Sequence, residues 1–281
     1  MWRSSPGRPS IDRVARDRYR EPVADPTSWY VEVDGQPAAL GAPLPAALLP
    51  HGHFTVMQVR AGRVRGLDLH LRRLEDAHRE LYDAALPGDL VRARIRQALA
   101  AARQDATVRV VAAQDLDAGP QPARLIVAVG PPSEPPSTAQ RLMSVLYTRP
   151  FAHIKHLGTF GQAQYRRLAR RCGFDEALLT GPDGTIAEGA TTNVGFRAGN
   201  TTVWPAAPAL HGVTMALLER STSHTRAPVR LADLARFDAA VVTNSRGIAP
   251  VAAIDGHQFA GSASFAADLH RHYEAVPFDV I

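Results

Sequence analysis

The sequence is short of the two residues that most often announce chemistry, cysteine and lysine. Its 281 residues include one cysteine, Cys172, so an intramolecular disulfide is excluded and a cysteine-based zinc site is not expected. No cluster of His, Asp and Glu stands at ligand spacing either, and no metal is expected. Apolar runs fall well short of the roughly 18 residues that a membrane-spanning helix needs. The first ten residues lack the apolar segment of a secretory signal, and the expected compartment is the cytoplasm. The net charge of +5 raises the question of nucleic acid. The arginines, however, are scattered among Ala, Leu and Asp, with no basic stripe interleaved with aromatics, so neither nucleic acid nor membrane is an expected partner.

The lysine count is the most informative shortage. Of the 32 Lys and Arg residues only Lys155 is a lysine, leaving 31 arginines. A background that converts lysine to arginine wherever either serves leaves lysine where a neutral amine is needed. Guanidinium stays protonated and does not attack carbonyls, whereas a desolvated lysine does. Composition alone makes Lys155 a candidate for covalent chemistry, with chance survival as the plain alternative.

Residues 1–27 are polar, basic and interrupted by proline, and read as an extension with a helical tendency around Ile11 to Arg20. From Trp29 the pattern is regular. A strand leads to an Asp34-Gly35 turn, and a hairpin turns at Ala61-Gly62. Leu67, Leu71, Leu74 and Leu81 share one helical face, and a second helix follows Pro87-Gly88-Asp89. Two strands, TVRVVAA and ARLIVAVG, come next. The stretch GPPSEPPSTAQ, residues 130–140, carries four prolines that exclude helix and central strand, and reads as a linker. The expected organisation is therefore an extension (1–27), a small α/β domain (28–129), the linker (130–140) and a larger β-rich domain (141–281), an α+β chain overall.

In the second half, Lys155 stands in FAHIKHLGTF between a strand and a helix. Glu188 follows in TIAEGATTN, and Gly212-Val213-Thr214 opens a helix. Earlier comes His70-Leu71-Arg72-Arg73-Leu74. Taken singly, Glu188 reads as a solvated carboxylate, Arg73 as a surface arginine and Gly212 as an ordinary helix start. Together and in this order, IKHL, GFDEALL, GTIAEGATTN and LHGVTM resemble the class IV, or fold-type IV, aminotransferases. These pyridoxal 5'-phosphate (PLP) enzymes include branched-chain and D-amino-acid aminotransferases and 4-amino-4-deoxychorismate lyase. The resemblance runs from about Trp29 onward and implies a two-domain fold like that of D-amino-acid aminotransferase.

The resemblance also implies roles. Lys155 would bind PLP as a Schiff base and carry the proton between carbons. Glu188 would face the pyridine nitrogen. Arg73 and the backbone N–H groups of Val213 and Thr214 would hold the phosphate, with Thr191, Thr192, Asn193 and Ser245 lining the cofactor. The implied activity is amino-group transfer between an amino acid and a keto acid by a homodimer. The alternative is a lyase of the aminodeoxychorismate type, which releases pyruvate.

Substrate-side features depart from the family. Pro50-His51-Gly52 stands where relatives carry Gly-Asp-Gly, and the Phe54-Thr55 pair favours the lyase branch. Phe160 replaces the tyrosine that branched-chain enzymes place after the lysine. The familiar carboxylate-binding arginine after the third strand is missing from Val111 to Gln114. Thr55, Arg149 and Arg246 remain as substrate-site candidates. His51, His53, His153 and His156 lie near the site segments, where they would tune proton transfer.

Overall fold

The computed structural model describes residues 30–38, 51–114 and 123–281. The helical tendency expected around Ile11 to Arg20 lies outside the described residues. Five strands, β1 (Tyr30–Val33), β2 (Gln36–Pro37), β3 (Gly52–Val59), β5 (Ala106–Ala113) and β6 (Arg124–Gly130), form an antiparallel sheet in the order β2-β1-β6-β5-β3. Asp34 and Gly35 turn the chain with φ of 50° and 82°, a pair of left-handed residues that matches the twist of the strands they join. The next expected hairpin forms too: β3 turns through Ala61-Gly62 into the short β4 (Arg63–Arg65).

Two helices, α1 (Leu67–Tyr82) and α2 (Gly88–Ala101), cover one face of this sheet. Leu67 and Leu74 of α1, with Ile95 and Leu99 of α2, meet Val108, Val110, Val127 and Val129 from alternate strand positions. Burying each such side chain stabilises the fold by roughly 1.5–3 kcal/mol. The proline-rich residues 131–139 then run without helix or strand.

The second sheet is larger. It contains β7 (Gln140–Leu146), β8 (Glu176–Thr180), β9 (Ile186–Gly189), β10 (Asn193–Ala198), β11 (Thr201–Pro205), β12 (His224–Ala227), β13 (Ala239–Asn244) and β14 (Gly247–Ile254). Their order is β12-β11-β10-β13-β14-β7-β8-β9, with β15 (His257–Gln258) attached to β14. It is a mixed sheet, with β7 parallel to both its neighbours. Helix α3 (Phe160–Arg171) packs beside β7 and β8, whereas α4 (Val213–Ser221) and α5 (Ser262–Glu274) pack on β13 and β14 around Trp204, Leu218 and Phe265. The short β12, a 3-10 helix at Leu231–Arg236 and the last strand, β16 (Phe278–Val280), carry too little periodicity to be read from sequence. Strand β16 pairs with β4, and Ile281 is buried in the core of the first sheet.

Candidate active site

The lysine segment lies between β7 and α3 and is stitched to β3. Phe54 N–H donates to the Lys155 carbonyl (2.9 Å), and Leu157 N–H donates to the Gly52 carbonyl (2.8 Å). These bonds hold Lys155 Nζ 4.8 Å from the centre of the Phe54 ring, at the wall of a cavity of about 1070 Å³. Burial lowers the lysine to about 7, aided by the positive charges of Arg73, Arg149 and Arg109 and opposed by Glu188. A substantial fraction of the amine is therefore neutral near pH 7.

Glu188, at the end of β9, lines the same cavity and is buried. Its Oε1 accepts from Arg149 Nη1 (3.2 Å), and its Oε2 accepts from the Leu210 N–H (3.2 Å). Burial pushes this carboxyl above its ordinary value, while Arg149 and the Leu210 N–H pull it back. Arg149 is spent in this arrangement: it is 7% exposed, and its other terminal nitrogen donates to the Ile154 carbonyl. Expected as a cation for substrate, it is instead the ion-pair partner that fixes Glu188 and opposes the upward push of burial. A buried carboxylate at this position requires such a counter-ion.

Facing Glu188 is a cradle suited to an anion. Arg73 reaches from α1 to the loop ahead of α4, donating to the His211 carbonyl (3.0 Å). Burial and the Arg149 charge lower Arg73 to about 10, still protonated at neutral pH. Helix α4 has no side-chain cap, so the N–H groups of Val213 and Thr214 join Arg73 at the cavity wall. A Cβ on Gly212 would collide with Asn193 Oδ1. Asn193 is fixed there by its 2.6 Å bond to the Leu210 carbonyl. Thr214 Oγ1 donates to the Asn244 carbonyl (2.7 Å), tying the helix start to the end of β13. Thr192, Ser245 and Arg246 also line the cavity. Among the described residues, the buried hydroxyls of Thr192 and Thr243 there have no hydrogen-bond partner.

Two candidate residues serve as supports. Thr191 touches the cavity, but its hydroxyl donates to the buried Glu176 (2.5 Å). Thr55 lies off the cavity, fully buried, with Oγ1 2.7 Å from His70 Nδ1. Phe54, Val56 and Gln58 present one face of β3 to the cavity; Thr55 lies on the other face, of which only Met57 touches the cavity. His70 does line the cavity, and burial holds it down to about 3, so it is neutral.

The histidines of the sequence cluster stay together in part, with His53 in a β-bridge to His156 and close to His51. His53 meets His78 (3.3 Å), His153 pairs with Glu80 (2.9 Å), and His156 bonds the Pro150 carbonyl (3.0 Å); of the four only His156 borders the cavity. Among the described residues no three potential ligands gather to hold a metal. Phe160 is 82% exposed and does not border the cavity.

Arg109, Glu176, Gln162 and Tyr273 escaped the sequence reading. Arg109, on β5, lies over Phe54 (4.0 Å from the ring centre), the ring that Lys155 also contacts. The signal for it was the β3–β5 register, which pairs Val56 with Arg109. Tyr273 reaches the cavity from α5 beside Thr214, a contact that no sequence spacing announces.

No curated protein matches the chain by sequence. Among solved structures, the T.th. branched-chain amino acid aminotransferase with pyridoxamine 5'-phosphate superposes with a TM-score of 0.76 at 18% identity, covering 87% of this chain and 92% of that one. A hypothetical aminotransferase from Mycobacterium tuberculosis, in a PLP-bound form, gives 0.74 at 22% identity over 88% and 98%. A putative 4-amino-4-deoxychorismate lyase from Legionella pneumophila gives 0.73 at 20% identity over 83% and 93%. These likenesses establish the fold-type IV architecture. The family model for amino-transferase class IV matches residues 52–254, from the first residue of β3 to the last of β14. With so much of the chain matched, the protein belongs to the class IV aminotransferase family.

Proposed function

We propose that the protein is a PLP-dependent aminotransferase in which Lys155 binds the cofactor and moves the proton. The observation that carries this reading is the chain's only lysine, lowered to about 7 in one cavity with Glu188 and an anion cradle. The residues fit the cofactor. Arg73 and the uncapped start of α4 supply donors for a phosphate, Gly212 leaves the approach clear, and the Thr192 and Thr243 hydroxyls await partners. When bound, PLP supplies a carbonyl for the amine and a ring that withdraws electrons from the substrate.

The chain's own part is positioning and proton transfer. Glu188, paired with Arg149 and oriented by the Leu210 N–H, would face a ring nitrogen. Lys155 Nζ, neutral in part at pH 7, serves as nucleophile and then as the base and acid at the substrate carbon. For the substrate carboxylate, Arg109 and Arg246 are the candidate cations near the cavity, since Arg149 is committed to Glu188. The lyase alternative loses support because Thr55 lies off the cavity. We also infer a homodimer, supported by the apolar side chains that Leu146, Phe151 and Phe160 expose between β7 and α3.

The test is the visible spectrum of the purified protein beside Lys155→Ala, followed by titration with L- and D-amino acids. The reading requires an absorbance band that depends on Lys155, bleaching by a donor amino acid and recovery on adding a keto acid, with ping-pong kinetics. Pyruvate release without an acceptor would assign the lyase instead. Failure of PLP to colour the protein would refute both.

A further inference from the structure

The cavity is larger than an amino acid and its cofactor ring require, exceeding the ~300–1,000 Å³ common for drug-sized ligands. One wall of the cavity is made by α3. That wall begins near Lys155 with Thr159 and Gln162 and continues through Arg166, Arg167, Arg170 and Arg171. Gln162, Arg166 and Arg170 follow one i, i+4 row of the helix and Arg167 and Arg171 the adjacent row, and the two rows together make this wall. From Thr159 to Arg171 it extends for about 18 Å, at 1.5 Å per residue. The near end is polar and the far end cationic.

The charges on this wall are unevenly matched. Arg166 pairs with the buried Glu176 (3.5 Å), whose charge also acts on Arg170. Arg167 and Arg171 have no ion pair or hydrogen bond among the described residues. Arg246 borders the same cavity from the turn between β13 and β14, and its side chain likewise has no partner among them. Glu134, a second carboxylate on the cavity wall besides Glu188, is taken by Arg60 (2.5 Å). A further observation points to a ligand: Gln162 is 6% exposed, and its Oε1 has no hydrogen-bond partner among the described residues. The proposed phosphate cradle is made by α1 and the start of α4, elements other than α3.

We propose that the arginines of the α3 wall, chiefly Arg167 and Arg171, bind a second anionic group at the far end of an extended amino-acid or keto-acid substrate. This deepens the aminotransferase reading and rests on it. The group is a carboxylate or a phosphate, either of which a guanidinium binds as a bidentate donor. Helical rise puts Arg167 about 10 Å along the axis from the start of α3. The chain joining the two ends of the substrate is therefore several carbons long, and Gln162 meets a polar group along it.

The test is calorimetric titration of the PLP-loaded protein with straight-chain dicarboxylates from glutarate to sebacate, beside monocarboxylates of equal length. The longer dicarboxylates should bind at least about tenfold more tightly than their matched monocarboxylates, and the difference should shrink with salt. The Arg167→Gln/Arg171→Gln variant should bring them down to the monocarboxylate level, and the Arg167→Lys/Arg171→Lys variant should recover part of the loss. An ω-phosphonocarboxylate of the preferred length tells the anions apart, since tighter binding than the dicarboxylate assigns phosphate and weaker binding assigns carboxylate. Equal affinity for the matched acids, or a difference that survives in the Gln variant, overturns the proposal. Retention of the Lys155-dependent band reports the cofactor reading separately, so loss of one conclusion is distinguishable from loss of the other.

Discussion

At the residue scale, the site depends on charges kept in unfavourable places by named partners. Lys155 bears the clearest cost. In the unfolded chain it holds its proton up to about 10.5, whereas in the folded protein it releases it near 7. Between these values the unfolded state binds more protons, so this group's contribution to stability rises with pH. Below about 7 the amine is charged in both states and the folded protein bears the full penalty. Cofactor-free Lys155→Met should therefore be more stable than cofactor-free wild type at pH 7, with the gap closing as pH approaches 10.5. Urea unfolding of both proteins across that range measures it, and a gap that ignores pH would refute the burial argument.

Arg149 and Glu188 are coupled in the opposite sense. Arg149→Met strands Glu188 without its counter-ion and should cost about 3–5 kcal/mol, with partial recovery when Glu188→Gln is added. A residue that only gripped substrate would change KM and leave the denaturation midpoint alone. Composition singled out Lys155; the place of Arg149 just before it marked that arginine as a substrate candidate, but nothing in the sequence pairs it with Glu188. Its role comes from a 3.2 Å contact between a loop and a strand far apart in sequence.

At the scale of elements, the cofactor side is built from ends: the tip of β9, the start of α4 and the close of β13. GTIAEGATTN and LHGVTM stand out by their resemblance to the family's segments, since no side-chain cap marks the start of α4. The substrate side is built from faces, and a face depends on register. Phe54 and Thr55 are neighbours in sequence, yet one borders the cavity and the other is bonded to His70. Arg109 enters the site only because β5 pairs with β3 at Val56. The start of α4 permits a sharp test. Gly212 has ordinary extended backbone angles (φ −65°, ψ 143°), so alanine there is conformationally harmless. Its Cβ would nevertheless displace Asn193, which holds Leu210, which in turn orients Glu188. Gly212→Ala should weaken PLP binding at least about tenfold, or about 1.4 kcal/mol, in a fluorescence titration, while far-UV dichroism stays native. Unchanged affinity would mean that Asn193 moves freely and that the chain of bonds does not orient the site.

At the scale of the whole molecule, the cavity draws its walls from both sheets: Phe54 and Arg73 come from the first half, Glu188 and Thr214 from the second. The prolines of 130–140 mark a stretch of which 131–139 run without helix or strand, while Gly130 and Gln140 belong to β6 and β7; the feature that closes the chain back on itself has no such mark in the sequence. The last residues return to the first sheet. Strand β16 pairs with β4, Asp279 accepts from the Leu67 N–H (2.9 Å) at the start of α1, and Arg65 stacks on Phe278 (3.9 Å). Ile281 completes the core beneath α1 and α2. Three residues of strand are too few for any periodic signal, and their partner is more than 200 positions away. Because α1 carries Arg73, this clasp bears on the site as well as on stability. Removing residues 278–281 should lower the melting temperature by several degrees, through loss of the buried Ile281 and the Asp279 bond to α1. It should also weaken phosphate binding at Arg73, so that the shortened protein releases PLP faster on dilution. If melting falls while cofactor retention holds, the clasp supports the first sheet alone, and the stitching of β3 to the lysine segment is what holds the two halves of the site together.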